Sequence, residues 1–235
     1  VAVKGKQSVD ITLIKNRFYL FNQTSSLLNA RAEHYLPRFN YSACELWLCT
    51  EICHLVNYEG GQLQTLSAGD NFIYNEDYKR DLTLYAAGKS DRPTILSHIE
   101  VKLIYPVSRS GFNESIDSLY LKLKNSYHGD YHQEGWVYLV WTQHYAISPE
   151  EFFASRSEWI KTHLVEKTHV DGNNNPLSLF STGLQDIADG TISWRGEEKR
   201  IVVKALAFSF GKSFREIYKD IKQEWALAFD ILARR

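Results

Sequence analysis

Between residues 41 and 57, apolar side chains recur at Leu48, Ile52 and Leu55 and again at Cys49, Cys53 and Val56, which is the three-and-four spacing of a helix. The Gly60-Gly61 pair then closes it. Residues 62–67 and 81–86 change period: apolar and polar residues alternate, as in half-buried strands. Residues 95–105 are rich in β-forming side chains and stop at Pro106, so they predict a third strand. The turn-like Gly88-Lys89-Ser90-Asp91-Arg92-Pro93 joins it to the second as an antiparallel hairpin with a long loop.

Further on, 114–127 places Ile116, Leu119, Tyr120 and Leu123 on one helical face, and the aromatic and β-branched run 136–141 predicts a strand. Ser148-Pro149-Glu150-Glu151 has the form of a helix start: a serine cap, proline in the first turn, and acids at the positive end of the dipole. That helix is expected to run to about residue 167. A plain loop at 171–176, a strand at 201–210 and a long amphipathic helix at 213–235 complete the series. The first forty residues show no single period.

With 235 residues, 44% of them hydrophobic, the chain has apolar material for one sizeable core, and no repeat or low-complexity linker divides it. We therefore expect one domain over 1–235, with a core at about 41–145 and a C-terminal elaboration at about 146–235. No apolar run approaches the roughly 20 residues of a membrane helix, so a membrane location is not expected. The formal net charge of −1 lacks the basic excess that phosphate-binding proteins often carry, but an acidic site and a basic groove can cancel in the total. Cys44, Cys49 and Cys53 are odd in number and lie in one segment without a signal peptide, which points to a reducing, cytoplasmic setting.

The chemistry concentrates in the third strand. There Ile99, Val101 and Leu103 point to one face, while His98, Glu100 and Lys102 point to the other. A carboxylate and an ammonium on a covered sheet face cost several kcal/mol, roughly, unless they are paired or bind a metal. Asp81 opens the preceding strand, and antiparallel pairing brings it beside Glu100. Two carboxylates and a lysine then converge. That set suits phosphodiester hydrolysis: hard oxygen ligands hold Mg²⁺, which neutralises phosphate charge and acidifies an attacking water, while the lysine orients the water or stabilises the transition state.

Asp81 in Arg80-Asp81-Leu82-Thr83-Leu84-Tyr85, followed by Ile99-Glu100-Val101-Lys102-Leu103, resembles the PD-(D/E)XK motif of the restriction-endonuclease-like nucleases. The family's core order of helix, three-stranded antiparallel meander, helix and strand also matches residues 41–141. The resemblance implies an α/β fold with a restriction-endonuclease-like core: a central mixed β-sheet flanked by helices, here with C-terminal α/β additions. It further implies Asp81 and Glu100 as metal ligands, Val101 between the motif residues as a third, and Lys102 as the catalytic lysine. Mg²⁺ is the implied cofactor, with Mn²⁺ able to substitute, and DNA is the implied substrate. The chain departs from the fullest pattern in having Lys79-Arg80 where a proline precedes the aspartate. Some members add a glutamate from the first core helix; Glu45 is the candidate here and Glu51 its rival.

Plainer readings compete at each position. Glu100 and Lys102 would also suit a solvent-facing edge strand with an ion pair to Asp81. His98 reads as a packing residue. Lys122 is a candidate nucleic-acid contact, although with Lys124 it equally suits a solvated helix face. Cys44, Cys49, Cys53 and His54 read as core rather than as a zinc site, because helical spacing scatters them. Gly211-Lys212-Ser213 lacks the earlier glycine of a phosphate loop, since Leu206 stands there. Alternate members of the aromatic series Tyr127, Tyr131, Trp136, Tyr138, Trp141 and Tyr145 should fill a core. The expected function is thus a Mg²⁺-dependent DNA endonuclease of restriction type, homodimeric if both strands of a duplex are cut. The alternative is a non-catalytic nucleic-acid- or protein-binding member of the same fold.

Overall fold

Aromatic and β-branched residues fill the eleven-residue strand His132–Thr142, and this strand is the spine of the sheet. The computed structural model describes residues 18–40, 44–59, 71–76, 80–86, 94–105, 109–125, 132–171, 174 and 176–211. Five helices in it are α1 (Tyr19–Asn29), α2 (Ala32–Tyr35), α3 (Glu45–His54), α4 (Arg109–Asn125) and α5 (Pro149–Ile160). The strands are β1 (Asn71–Asn75), β2 (Leu82–Ala86), β3 (Thr94–Ile104), β4 (His132–Thr142), β5 (His169–Val170), β6 (Pro176–Ser181), β7 (Gln185–Trp194) and β8 (Glu197–Gly211).

These strands form one mixed sheet in the order β1-β2-β3-β4-β8-β6-β5, with β7 also pairing β8. β1, β2 and β3 are an antiparallel meander. The chain then crosses over through α4, and β4 returns parallel to β3, the connection a parallel pair requires. β8 lies antiparallel to β4 and extends the same sheet; β7 and β6 share its far edge end to end. The chain is thus an α/β protein with a mixed central sheet flanked by helices. No described helix is long and apolar enough to cross a membrane.

Helices cover both faces. Trp136, Tyr138 and Val140 join the core beneath α1 and α3, while Val137, Leu139 and Trp141 join the core beneath α4 and α5. All six are buried, because β4 is a central strand with a helical layer on either side; of the aromatic series, the described Trp136, Tyr138 and Trp141 are buried and Tyr145 is partly so. The capped start of α5 is as expected: the Glu151 amide donates to Ser148 Oγ at 3.1 Å and Pro149 opens the first turn. That helix ends at Ile160, and a wider π turn, Lys161–Val165, finishes it. α3 ends in a similar turn at Leu55–Glu59.

The first strand of the meander is Asn71–Asn75; the alternating stretch 62–67 lies outside the described residues, as does the helix expected at 213–235. Pro176, expected in a loop, is the first residue of β6. Additions unassigned from sequence, β6 and β7, complete the β8 side of the sheet. α1 and α2 arise from the stretch of mixed pattern and pack on β7.

Candidate active site

β3 outruns β2. Their ladder ends at the pair Leu82–Ile99, so among the described residues no strand lies beside the amides of Val101 and Leu103. Buried amides need acceptors, and two carboxylates supply them. Val101 N–H donates to Asp81 Oδ2 at 2.8 Å, and Leu103 N–H donates to Glu45 Oε2 at 2.9 Å. Asp81 is placed by the bend that opens β2, and Glu45 by the first turn of α3. Asp81 thus reaches the Glu100-Val101-Lys102 tripeptide through the Val101 amide, whereas the Glu100 and Lys102 side chains, expected to converge with its carboxylate, meet Arg80, Lys122 and Glu45 instead. Because N–H and C=O of one residue leave an extended strand from the same edge, the Val101 carbonyl also lies on Asp81's side.

Glu100 points to the other layer. Its side chain is 1% exposed, and its two oxygens meet two different cations: Arg80 Nη1 is 2.9 Å from Oε1, and Lys122 Nζ of α4 forms an ion pair with Oε2. Burial pushes the Glu100 carboxyl above its ordinary value, Lys122 and Arg80 pull it back, and the negative charge of Asp81 raises it further. The last effect places Asp81 within electrostatic reach of Glu100. The register also sets Gly135 of β4 beside Glu100, and the missing side chain there admits Leu123, next to Lys122 on α4.

Lys102 Nζ lies 3.4 Å from Glu45 Oε2, so the motif lysine pairs with the helix glutamate. Both are partly exposed, at 40% and 36%. The edge-strand reading, in which Glu100 faces solvent and Lys102 pairs across to Asp81, does not hold: Glu100 is buried against Arg80 and Lys122, and Lys102 pairs with Glu45. The Cys49 thiol, buried in α3, is raised first by burial and then by the negative charges of Asp81 and Glu45.

Of the two helix glutamates, Glu45 reaches the site and Glu51 does not, since Glu51 Oε1 accepts from Tyr35 Oη at 2.7 Å. His98 is buried with Nδ1 3.1 Å from Thr83 Oγ1, a packing role as expected. Cys44 Sγ lies 3.2 Å from Tyr105 Oη and Cys49 is buried, both in the core. Tyr127, Tyr131 and His128, together with Lys212 and Ser213, lie outside the described residues. Glu134 is part of β4 and accepts the Trp136 indole N–H at 2.6 Å. Arg80 was missed as a site residue. Its signal was its position, directly before Asp81 in the place of the motif's proline.

Among the described residues no group of three or more His, Cys, Asp or Glu side chains forms a metal cage. The candidate oxygens are those of Asp81 and Glu100 and a strand carbonyl, with both Glu100 oxygens already paired to Arg80 and Lys122. Such a partial oxygen shell fits Mg²⁺, which keeps several waters, better than zinc. No protein-family model and no curated protein matches the chain.

Proposed function

We propose that the protein is a divalent-metal-dependent nuclease that hydrolyses phosphodiester bonds in DNA, with a restriction-endonuclease-like core running from α3 to β4. The observation that carries this reading is the single edge of β3 on which Asp81 and Glu45 grip successive outward amides, directly beside Glu100 and Lys102. The series α3, β1-β2-β3, α4, β4, with β4 parallel to β3, is the order expected for that core and supports it.

In this reading Asp81, Glu100 and the Val101 carbonyl hold Mg²⁺ or Mn²⁺, which supplies charge neutralisation at the phosphate and a more acidic water. Lys102 would orient the attacking water and stabilise charge developing on the phosphate, its ammonium being held in position by Glu45. Glu45 is thus a positioning residue. A two-fold dimer follows if both strands of a duplex are cut.

A second reading, a nucleic-acid- or protein-binding module on the same fold, draws on the full occupation of Glu100 by Arg80 and Lys122, which could serve as a purely structural ion network. Cleavage of plasmid and linear DNA with Mg²⁺, Mn²⁺ or chelator separates the two. Metal-dependent cutting by the wild type, lost in Asp81→Ala and Lys102→Ala, is the expected result, and discrete bands would mean sequence specificity. No cutting by the folded wild type under either metal would leave the binding module.

A further inference from the structure

Each carboxylate at the β3 edge is already answered by the chain's own groups. Glu100 meets Arg80 and Lys122, Glu45 meets Lys102, and Asp81 takes the Val101 amide. The three acidic side chains are matched in number by three basic ones, although Asp81 itself meets only an amide, so the set holds no surplus negative charge with which to draw in a divalent cation. Glu100 is 1% exposed, so a cation that reaches its oxygens must replace Arg80 and Lys122 rather than join them, since several positive charges on one buried carboxylate repel. The two displaced groups hold separate oxygens of Glu100, one from just before β2 and one from α4 with its side chain 46% exposed. A planar guanidinium and an ammonium, both deprived of their carboxylate, form a recognition pair for a phosphodiester.

We propose that Arg80 and Lys122 are a phosphate-binding pair parked on Glu100, which cation entry at Asp81 and Glu100 releases onto the nucleic-acid backbone. Divalent cation and phosphodiester then bind cooperatively, and by linkage each strengthens the other equally. This rests on the nuclease reading and adds to it the residues that hold the substrate phosphate.

Calorimetric titration of the full chain with Ca²⁺, with and without a short mixed-sequence DNA duplex, tests the coupling. Wild type should bind Ca²⁺ weakly alone and roughly tenfold more tightly with duplex. Lys122→Gln and Arg80→Gln should bind Ca²⁺ more tightly than wild type without DNA and lose most of the enhancement. Glu100→Gln should bind duplex without Ca²⁺ more tightly than wild type, because both cations are released. Circular dichroism checks folding, and Lys122→Gln, on a half-exposed helix position, keeps the test alive if Arg80→Gln unfolds.

Ca²⁺ affinity that ignores the duplex, or Lys122→Gln that binds Ca²⁺ no more tightly than wild type, overturns the coupling. If the wild type still cuts DNA with Mg²⁺ in that case, the nuclease reading stands without it. Duplex binding strengthened by Glu100→Gln in a protein that never cuts would keep the phosphate pair and remove the nuclease.

Discussion

Glu45 Oε2 accepts the Leu103 amide at 2.9 Å and lies 3.4 Å from Lys102 Nζ, so one carboxylate both ties α3 to β3 and aims the motif lysine. The two roles separate by substitution. Glu45→Gln keeps a carbonyl acceptor for the amide and should stay within about 0.5 kcal/mol of wild type in urea unfolding, whereas Glu45→Ala orphans the amide and should cost about 1–2 kcal/mol. Both remove the ion pair with Lys102. In the proposed nuclease both should therefore slow DNA cleavage by a similar factor, and a glutamine variant with unchanged rate would remove Glu45 from the proposed catalytic arrangement.

Glu100 should give stability an unusual pH dependence. Its carboxyl is raised, chiefly by burial, so between the ordinary value of 4.5 and the elevated one the folded state holds a proton that the unfolded chain has lost. By linkage this contribution is fully present below 4.5 and is lost as pH rises through the folded value, the reverse of a salt-bridged carboxylate with a lowered pKa. Glu100→Gln cannot titrate. The difference in melting temperature, wild type minus Glu100→Gln, should fall with rising pH across that window; a difference that is flat or rises would refute the sign.

Gly135 stands beside Glu100 in the β3–β4 register, and a methyl group there would come within 2.8 Å of Leu123 Cδ1 and 3.0 Å of Phe208 Cζ. Both neighbours are buried, so neither can swing into solvent. Gly135→Ala should cost about 1–3 kcal/mol as α4 is pushed off the sheet. Because Lys122 rides on the same helix turn, metal-dependent cleavage should fall as well. Chemical denaturation and a cleavage assay on the same preparation check the pair of effects, and a Gly135→Ala protein of wild-type stability would show that α4 yields without strain.

On the outer margin of the sheet, the Asn57 carboxamide donates to the Ile73 carbonyl and accepts its amide, both at 2.9 Å, like one residue of a further strand. β1 is an edge strand, and open edges invite pairing with other chains. Asn57→Ala should lose about 1–2 kcal/mol and increase self-association in light scattering. Asn57 pairs with Ile73 and not with Asp81 or Glu100, so in the proposed nuclease cleavage per folded molecule should be unchanged; a loss of cleavage would tie the margin to the site.

Local patterns were sufficient for much of this architecture. Helical spacing placed α3 and α4, the Ser-Pro-Glu-Glu start placed α5, and β-branched runs placed β3, β4 and β8, because each signal depends on neighbours a few residues apart. The motif residues were legible for the same reason: Glu100, Val101 and Lys102 are adjacent, and Asp81 is one hairpin away. β1 was not legible. Its Asn-Phe-Ile-Tyr-Asn sequence has one fully buried apolar residue, Ile73, and its outer edge is completed by Asn57 rather than by a pattern of its own.

What tertiary structure alone decided is which charge meets which. Sequence alternation put Glu100 and Lys102 on one face, yet Glu100 is buried against Arg80 and Lys122, while Lys102 turns at the sheet margin to Glu45 on α3. Those partners come from the bend before β2 and from two helices on opposite layers, up to 57 residues away along the chain. Periodicity reports the face a side chain takes within its own element. Ion-pair partners are chosen by how elements stack and where a strand outruns its neighbour, and that depends on the packing of the whole sheet.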